Sequence, residues 1–322
     1  MTDTVKNKNT IKSDLNVRTV QKNGLRWINI VKPTNDEVDY LRREFKFHPL
    51  DLRDCLSPAQ RPKIEKYPDY IFLVLLFPVF NRKTREIFPA EVDLFIGPDY
   101  LITVHDDHLV PLVDLFELCQ MNDEAAHKHL KEGTQALLYT VLNSLMQYCY
   151  PMMDHLSIDI STIEKKIFAG EEKTMVKEIL IIRRNITNFR KIMQTHKNII
   201  KKLVENRDDR VFRLSGLMIY FQQLTEDAKD IWDTLQGFKE AIEALQQTNE
   251  SLISFKINDI IKTLTIISVL AIPINFIIFL FSAGAANTPL IHLANGFWIL
   301  GGLCAVVGLA LFIFVNKKGL LK

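Results

Sequence analysis

Hydrophobic and polar positions alternate in three different ways along the chain, and each pattern predicts a different kind of structure. The first 16 residues are mostly Lys, Asn, Thr and Asp without an apolar core, which predicts a flexible tail and not a signal peptide. Short apolar runs follow: Trp27-Ile28-Asn29-Ile30-Val31, Ile71-Phe72-Leu73-Val74-Leu75-Leu76, Val92-Asp93-Leu94-Phe95-Ile96 and Leu101-Ile102-Thr103-Val104. Turn chemistry at Asn81-Arg82-Lys83 and Gly97-Pro98-Asp99 separates them, so they read as strands. Between the first two runs, Asn35 to Phe45 and Leu50 to Leu56 read as helices, with Thr34 or Asn35 as the first cap. Residues 17–132 are thus expected to form an α/β domain.

From about Gly133 the period changes to that of a helix. Glycine becomes rare, and Pro151 is the only proline before the apolar C-terminus. Breaks near Ala169-Gly170 and Asn206-Arg207-Asp208-Asp209 predict helices over 133–168, 172–204 and from 210 onward. The segment 133–209 reads as a helical hairpin and 210–262 as a stalk helix. In the latter, Leu217, Phe221, Leu224, Ala228, Ile231, Leu235, Phe238, Ile242, Leu245 and Leu252 recur at spacings of four and three, with Asn249 filling one place. Such a heptad seam packs against other helices. Nothing breaks it before the apolar region, so one helix is expected from about Val211 to Phe281, on the order of 100 Å long at 1.5 Å per residue. A helix of that length needs partners, and an oligomer is the simplest supply.

The third pattern is an absence. Between Thr263 and Asn316 there is no Asp, Glu, Lys or Arg. Crossing a bilayer takes roughly 20 apolar residues, and two spans fit: transmembrane helix 1 over 263–283 and transmembrane helix 2 over 297–316. The outer loop 284–296 carries Asn287, Pro289 and Gly296, and 317–322 is a basic tail. Lys256, Lys262, Lys317, Lys318 and Lys322 flank the spans, whereas the loop has no Lys or Arg. The positive-inside rule then puts both termini and the hydrophilic bulk in the cytoplasm, with the spans in the plasma (inner) membrane.

Composition adds little to this, because 40 Lys and Arg against 38 Asp and Glu average over unlike halves. Cys55, Cys119, Cys149 and Cys304 form no CxxC pair and read as reduced structural thiols. No Gly-rich phosphate loop, GxSxG or HExxH occurs, and the pairs Asp51/Asp54 and Glu91/Asp93 do not define an acid–base couple. No enzyme, catalytic residue or cofactor is expected. His105-Asp106-Asp107-His108 has metal-ligand residue types but no identifiable further ligand, and reads as a solvated turn, as do His127 and His129. The basic run Arg183, Arg184, Arg190, Lys191, Lys197, Lys201 and Lys202 reads as a solvated face, or as one that pairs with acids such as Glu171, Glu172 and Glu178 on nearby turns. Without a groove motif or interleaved aromatics, no nucleic-acid partner is expected.

Candidate chemistry lies inside the first span. Asn258, Ile261, Thr265, Ser268, Ile272, Asn275, Phe279 and Ser282 continue the three–four spacing along one face. Several such helices around an axis would make a narrow pore, with rings of amide and hydroxyl oxygens between hydrophobic constrictions. Small polar groups also serve as interhelical hydrogen-bonding glue. The single-face spacing fits both. Pro273 is placed to kink or relax the span.

Phe47-His48-Pro49-Leu50, Gln60-Arg61-Pro62-Lys63-Ile64-Glu65 and Tyr70-Ile71-Phe72-Leu73-Val74-Leu75 resemble the cytosolic domain of the CorA family of magnesium transporters. Leu264-Thr265-Ile266-Ile267 with Pro273 resembles that family's first transmembrane helix, and Lys317-Lys318 its basic tail. The resemblance covers nearly everything after the N-terminal tail. It implies a homopentamer with an α+β cytosolic funnel, long α-helices and two C-terminal transmembrane helices, the first lining a pore. It also implies a divalent cation cargo: Mg2+, Co2+ or Ni2+, or Zn2+ in one branch. Matched back from Pro273, Asn258 falls on a family pore asparagine and Leu264 on a hydrophobic gate, while Ile261 and Ile272 replace methionines and Asn275 a threonine. The chain also departs from the family. Where the signature Gly-Met-Asn, commonly after Tyr, forms the outer mouth, it reads Phe281-Ser282-Ala283-Gly284. The loop lacks an acidic residue and keeps only His292 as a weakly ionisable group; Gln223 stands where some members carry a regulatory aspartate. The resemblance therefore implies a divalent metal channel, and its departures leave open a non-conducting scaffold or sensor, or a channel for Zn2+ or monovalent cations.

Overall fold

A computed structural model describes residues 15–57, 61–205, 216–282 and 295–317. The expected tail (all but its last two residues), the Asn206–Asp209 break, Ala283, Gly284, most of the outer loop and all of the basic tail but Lys317 lie outside these residues.

The first half forms a six-stranded sheet in the order β1-β2-β6-β5-β4-β3. Its strands are β1 (Val17–Lys22), β2 (Leu25–Val31), β3 (Lys63–Lys66), β4 (Ile71–Asn81), β5 (Glu86–Ile96) and β6 (Tyr100–His105). Only β2 and β6 run parallel; the other neighbours are antiparallel. The expected turn at Asn81–Lys83 joins β4 to β5, and Gly97–Asp99 joins β5 to β6. Central strands are covered on both faces, which is why β4 reads as a nearly unbroken apolar run.

One face carries α1 (Asn35–Phe45) and α2 (Pro49–Asp54). Val38, Leu41 and Leu52 from these helices pack with Ile28, Ile30, Phe72, Val74, Phe95 and Ile102 from the sheet. Phe47 stacks on Phe95 with centroids 4.2 Å apart. Of the two candidate caps, Thr34 is the one used: its hydroxyl accepts from Asp36 N at 3.3 Å, and Glu37 accepts from Thr34 N at 2.8 Å. The other face holds Trp27, fully buried and edge-on to Phe116 of α3 (Val110–Met121) at 5.0 Å. A polar chain runs beside it. Trp27 Nε1 donates to Thr103 Oγ1 (3.2 Å), which donates to Asn29 Oδ1 (2.6 Å), where His105 Nε2 also sits at 3.0 Å.

The helical part continues with α4 (Asp123–Leu130), α5 (Thr134–Gln147), α6 (Cys149–Phe168), α7 (Glu172–Met193) and α8 (His196–Glu205). The single helix expected over 133–168 is thus two, divided at Tyr148. Pro151 explains the break, since it has no N–H for the Gln147 carbonyl and its ring crowds that turn. Likewise 172–204 divides at Gln194–Thr195, and the turn brings His196 into the core against Phe77 at 5.0 Å. From α7, Asn185 bonds Ile87 N (3.1 Å) and Arg85 O (2.9 Å), and Asn188 donates to Ile87 O at 3.0 Å.

Helix α9 runs unbroken from Met218 to Ser282 and α10 from Gly296 to Lys317. Contacts divide the chain into two compact units, with the boundary inside α9 between Gln246 and Gln247. In the first unit Phe221, Leu224, Ala228, Ile231, Leu235 and Ile242 of the seam are fully buried. Tyr139 of α5 contacts Tyr220 and Phe221 at 5.1 and 6.1 Å, Arg190 of α7 lies over Trp232, and Arg183 donates to Gln246 at 3.0 Å. Over this stretch the partners of the seam come from the same chain, so the seam there does not require a second copy.

A candidate ion pathway along the first apolar helix

In the second unit, α9 and α10 each contain a window of mean hydropathy 2.6 that is left almost wholly uncovered by the chain itself, 0% and 6% buried. Apolar surface on that scale needs lipid or another protein surface to cover it. The two helices meet along one side of α9. A methyl group added to Gly308 would lie 3.5 Å from Ile274 Cδ1, an ordinary van der Waals distance, which places this part of α10 against the Ile274 side of α9. Ile266, Leu270, Ile274, Ile277 and Phe281, on that side of the helical wheel, are half-buried.

The polar stripe lies on the opposite side. Asn258, Ile261, Leu264, Thr265, Ile272, Asn275, Phe279 and Ser282 are exposed, and Ser268 is half-buried. On a helical wheel the nine positions fall on the half of α9 opposite Ile274, although Leu264, Thr265, Ser268 and Ile272 also border a groove that Leu311 of α10 completes; Ala283 and Gly284 lie outside the described residues. Hydroxyls on this face bond to their own helix: Thr265 Oγ1 donates to Ile261 O at 2.8 Å and Ser268 Oγ to Leu264 O at 2.9 Å. Each spends its proton in this way and presents its oxygen as an acceptor. An oxygen acceptor is what a cation, or the proton of a water in its shell, requires.

Pro273 lacks an N–H, so the Val269 carbonyl loses its helical donor. Beside it a groove of about 430 Å3 is lined by Leu264, Thr265, Ser268, Ile272 and, from α10, Leu311. A second groove of about 470 Å3 is lined by Gln247, Ser251, Ser254 and Asn258, with Glu250 and Phe255 beside them. The sequence reading missed Gln247, Ser251 and Ser254. Continuing the three–four spacing backward from Asn258 would have found them.

The other candidate groups do not assemble. His105 is buried, and burial holds its pKa below the ordinary histidine value. His108 pairs with Asp106 at 2.8 Å and Asp107 with Lys32 at 2.5 Å. His127 lies 3.3 Å from the Asn23 amide. Among the described residues, no three His, Cys, Asp or Glu side chains stand where they could ligate a metal directly. In the basic run, Arg184 pairs with Glu86 at 2.5 Å and Lys201 with Glu205 at 3.5 Å. Glu178, expected to serve that run, is instead held by both Arg85 amines at 3.1 and 2.6 Å, because the β4–β5 turn reaches α7.

A family model described as CorA-like Mg2+ transporter protein matches residues 22–318. The chain belongs to this family. It is similar to the putative metal ion transporter YfjQ of Bacillus subtilis, 24% identical over 91% of this chain and 89% of that protein. It is also similar to the cobalt/magnesium transport protein CorA of Thermotoga maritima, 23% identical over 91% of this chain and 82% of that one. Among solved structures, the CorA magnesium transporter of Methanocaldococcus jannaschii superposes with a TM-score of 0.78 at 21% identity, covering 91% of this chain and 90% of that one. This CorA-like chain is a membrane protein, with an N-terminal α/β region, a long helix and two apolar C-terminal helices.

Proposed function

We propose that this CorA-like protein is a divalent metal cation channel or transporter, carrying Mg2+, Co2+, Ni2+ or Zn2+ through a pore lined by α9. The observation that supports the reading is the spacing of the stripe: Asn258, Thr265, Ser268 and Asn275 recur on the half of α9 opposite Ile274, the side that Gly308 of α10 approaches. A polar face in hydrocarbon is costly unless it lines water or meets other polar groups. A ring of identical chains around an axis meets that need, and family resemblance makes the ring a homopentamer. Leu264, Ile261, Ile272 and Phe279 then form the apolar constrictions, and Ser282 begins the outer mouth. Both termini face the cytoplasm of the plasma membrane, as the lysine flanks require. The membrane potential supplies about 2.3 kcal/mol per charge per 100 mV, twice that for a divalent ion, so inward flux needs no nucleotide.

Phe281-Ser282-Ala283-Gly284 at the mouth supports a second reading, a non-conducting scaffold or sensor, and within the first reading supports altered selectivity, Zn2+ or monovalent cations included. Flux of Mg2+, Co2+, Zn2+ and K+ into liposomes under an inside-negative potential separates these. Conduction that disappears in Asn275→Leu fits a pore along the stripe. No flux of any ion from a folded oligomer would overturn conduction in favour of the scaffold.

A further inference from the structure

The one proline inside α9, Pro273, changes the chemistry of a main-chain oxygen one turn earlier. Helical hydrogen bonds run from each N–H to the carbonyl four residues back. The Val269 oxygen is therefore held beside Ile272 and Pro273, at the place where an N–H of residue 273 would meet it. Pro273 has no N–H to give. Val269, Ile272 and Pro273 all line the groove of about 430 Å3, together with Thr265 and Ser268. A carbonyl without a donor is costly inside hydrocarbon, and hydroxyls of the same helix are a common remedy. Here they are already spent. Thr263 Oγ1 donates to Asp259 O at 2.9 Å, Thr265 Oγ1 to Ile261 O at 2.8 Å and Ser268 Oγ to Leu264 O at 2.9 Å. Leu311, the residue that α10 adds to the groove, has no donor either.

Three oxygens thus belong to the walls of one groove, two hydroxyls and a carbonyl, and the lining residues carry neither a free proton nor a charge. Walls that only accept select an occupant that brings its own donors, such as the water shell of a cation. Mg2+ gives up that shell reluctantly. Six waters at ~30 Å3 each fill ~180 Å3, well within the groove of about 430 Å3. We propose that Val269 O, released by Pro273, forms with Thr265 Oγ1 and Ser268 Oγ a station for a hydrated divalent cation. It lies between the constrictions at Leu264 and Ile272, which are about 12 Å apart along the helix. The station rests on the conduction reading and adds to it a ligand that belongs to the main chain of an apolar residue.

Neutral oxygens acting through water hold an ion less firmly than carboxylates do. That suits a pathway, where binding must be strong enough to admit the ion and weak enough to let it leave. It also divides the apolar stretch from Leu264 to Ile272 into two shorter barriers.

The test measures Mg2+ and K+ flux into liposomes containing the purified full-length protein, over a range of ion concentrations. Pro273→Ala supplies the N–H that recaptures Val269 O. A second variant keeps Pro273 and any bend it imposes: Leu270 is exchanged for its α-hydroxy acid, so that the Val269 carbonyl becomes that of an ester, a weaker acceptor. Each should raise the half-saturating Mg2+ concentration about threefold or more, as the loss of one weak hydrogen bond predicts, and lower the preference for Mg2+ over K+. The two changes combined should do no more than either alone. Unchanged half-saturation and ion preference in both folded variants would overturn the station while leaving conduction intact. An effect of Pro273→Ala that the ester does not reproduce would assign the change to the bend and overturn it too. No flux of any ion from the folded parent would remove the conduction reading and the station together.

Discussion

Polar side chains in the sheet and in the first apolar helix are satisfied in opposite ways. In the sheet, Trp27, Thr103, Asn29 and His105 are deeply buried and bond to one another across β2 and β6. In α9, Thr265 and Ser268 bond carbonyls one turn back on the same helix and face outward. A polar group recruited for architecture takes its partner from a distant part of the fold, and the fold suffers when it goes. A group whose partner is a carbonyl of its own helix takes it locally, and its removal leaves the rest of the fold nearly untouched.

The widest separation is expected for the large side chains of the two regions. Trp27→Ala should destabilise the protein by about 3–5 kcal/mol in urea unfolding, whereas Phe279→Ala, at a position left 68% uncovered by its own chain, should cost clearly less. Equal losses would break the comparison.

Next comes His196, fully buried, with neither ring nitrogen hydrogen-bonded and its pKa lowered by desolvation from 6.5 to about 4. The nearby carbonyls of Ile192, Met193 and Leu76 pull the other way without reaching hydrogen-bond geometry. Between those two values the unfolded chain binds a proton that the folded chain refuses. The stability that depends on neutral His196 is therefore whole above pH 6.5 and lost as pH falls toward 4, by roughly 3 kcal/mol in all. A His196→Leu variant should flatten that part of the pH profile, and an unchanged slope would locate the acid sensitivity elsewhere.

The smallest effect sharpens the contrast most. Thr103→Val strands the Trp27 N–H and should cost about 1–3 kcal/mol. Thr265→Val deletes a hydroxyl from the α9 stripe and should cost less than about 0.5 kcal/mol, and under the proposed function it still lowers flux.

Legibility followed the same division. β2, β4, β5 and β6 could be read because strands buried on both faces leave long apolar runs. The edge strands β1 and β3 could not: Val17–Lys22 is only half covered, and Lys63–Lys66 is four residues long with charges at both ends. Helix α3 escaped because it is apolar nearly all round, from Val110 and Leu112 to Leu118, and so shows little period. From Thr265 onward the stripe in α9 was visible because charge is absent around it, so each Asn or Ser there stands out. Glu91 and Asp93 were recognisable as an alternating pair, but only the fold shows that Asp93 is buried.

The asparagines of α7 have a consequence for how the chain avoids its own kind. β6 pairs with β5 only from Val92 to Ile96, so among the described residues the stretch from Glu86 to Glu91 has no strand on that side. Asn185 and Asn188 occupy its outward groups at Arg85 and Ile87 in place of a strand. A bare edge of that kind is a template for another chain to zip onto. Two amide side chains on a helix thereby act as gatekeepers against misassembly, and in a crowded cell their worth lies in the aggregates that do not form.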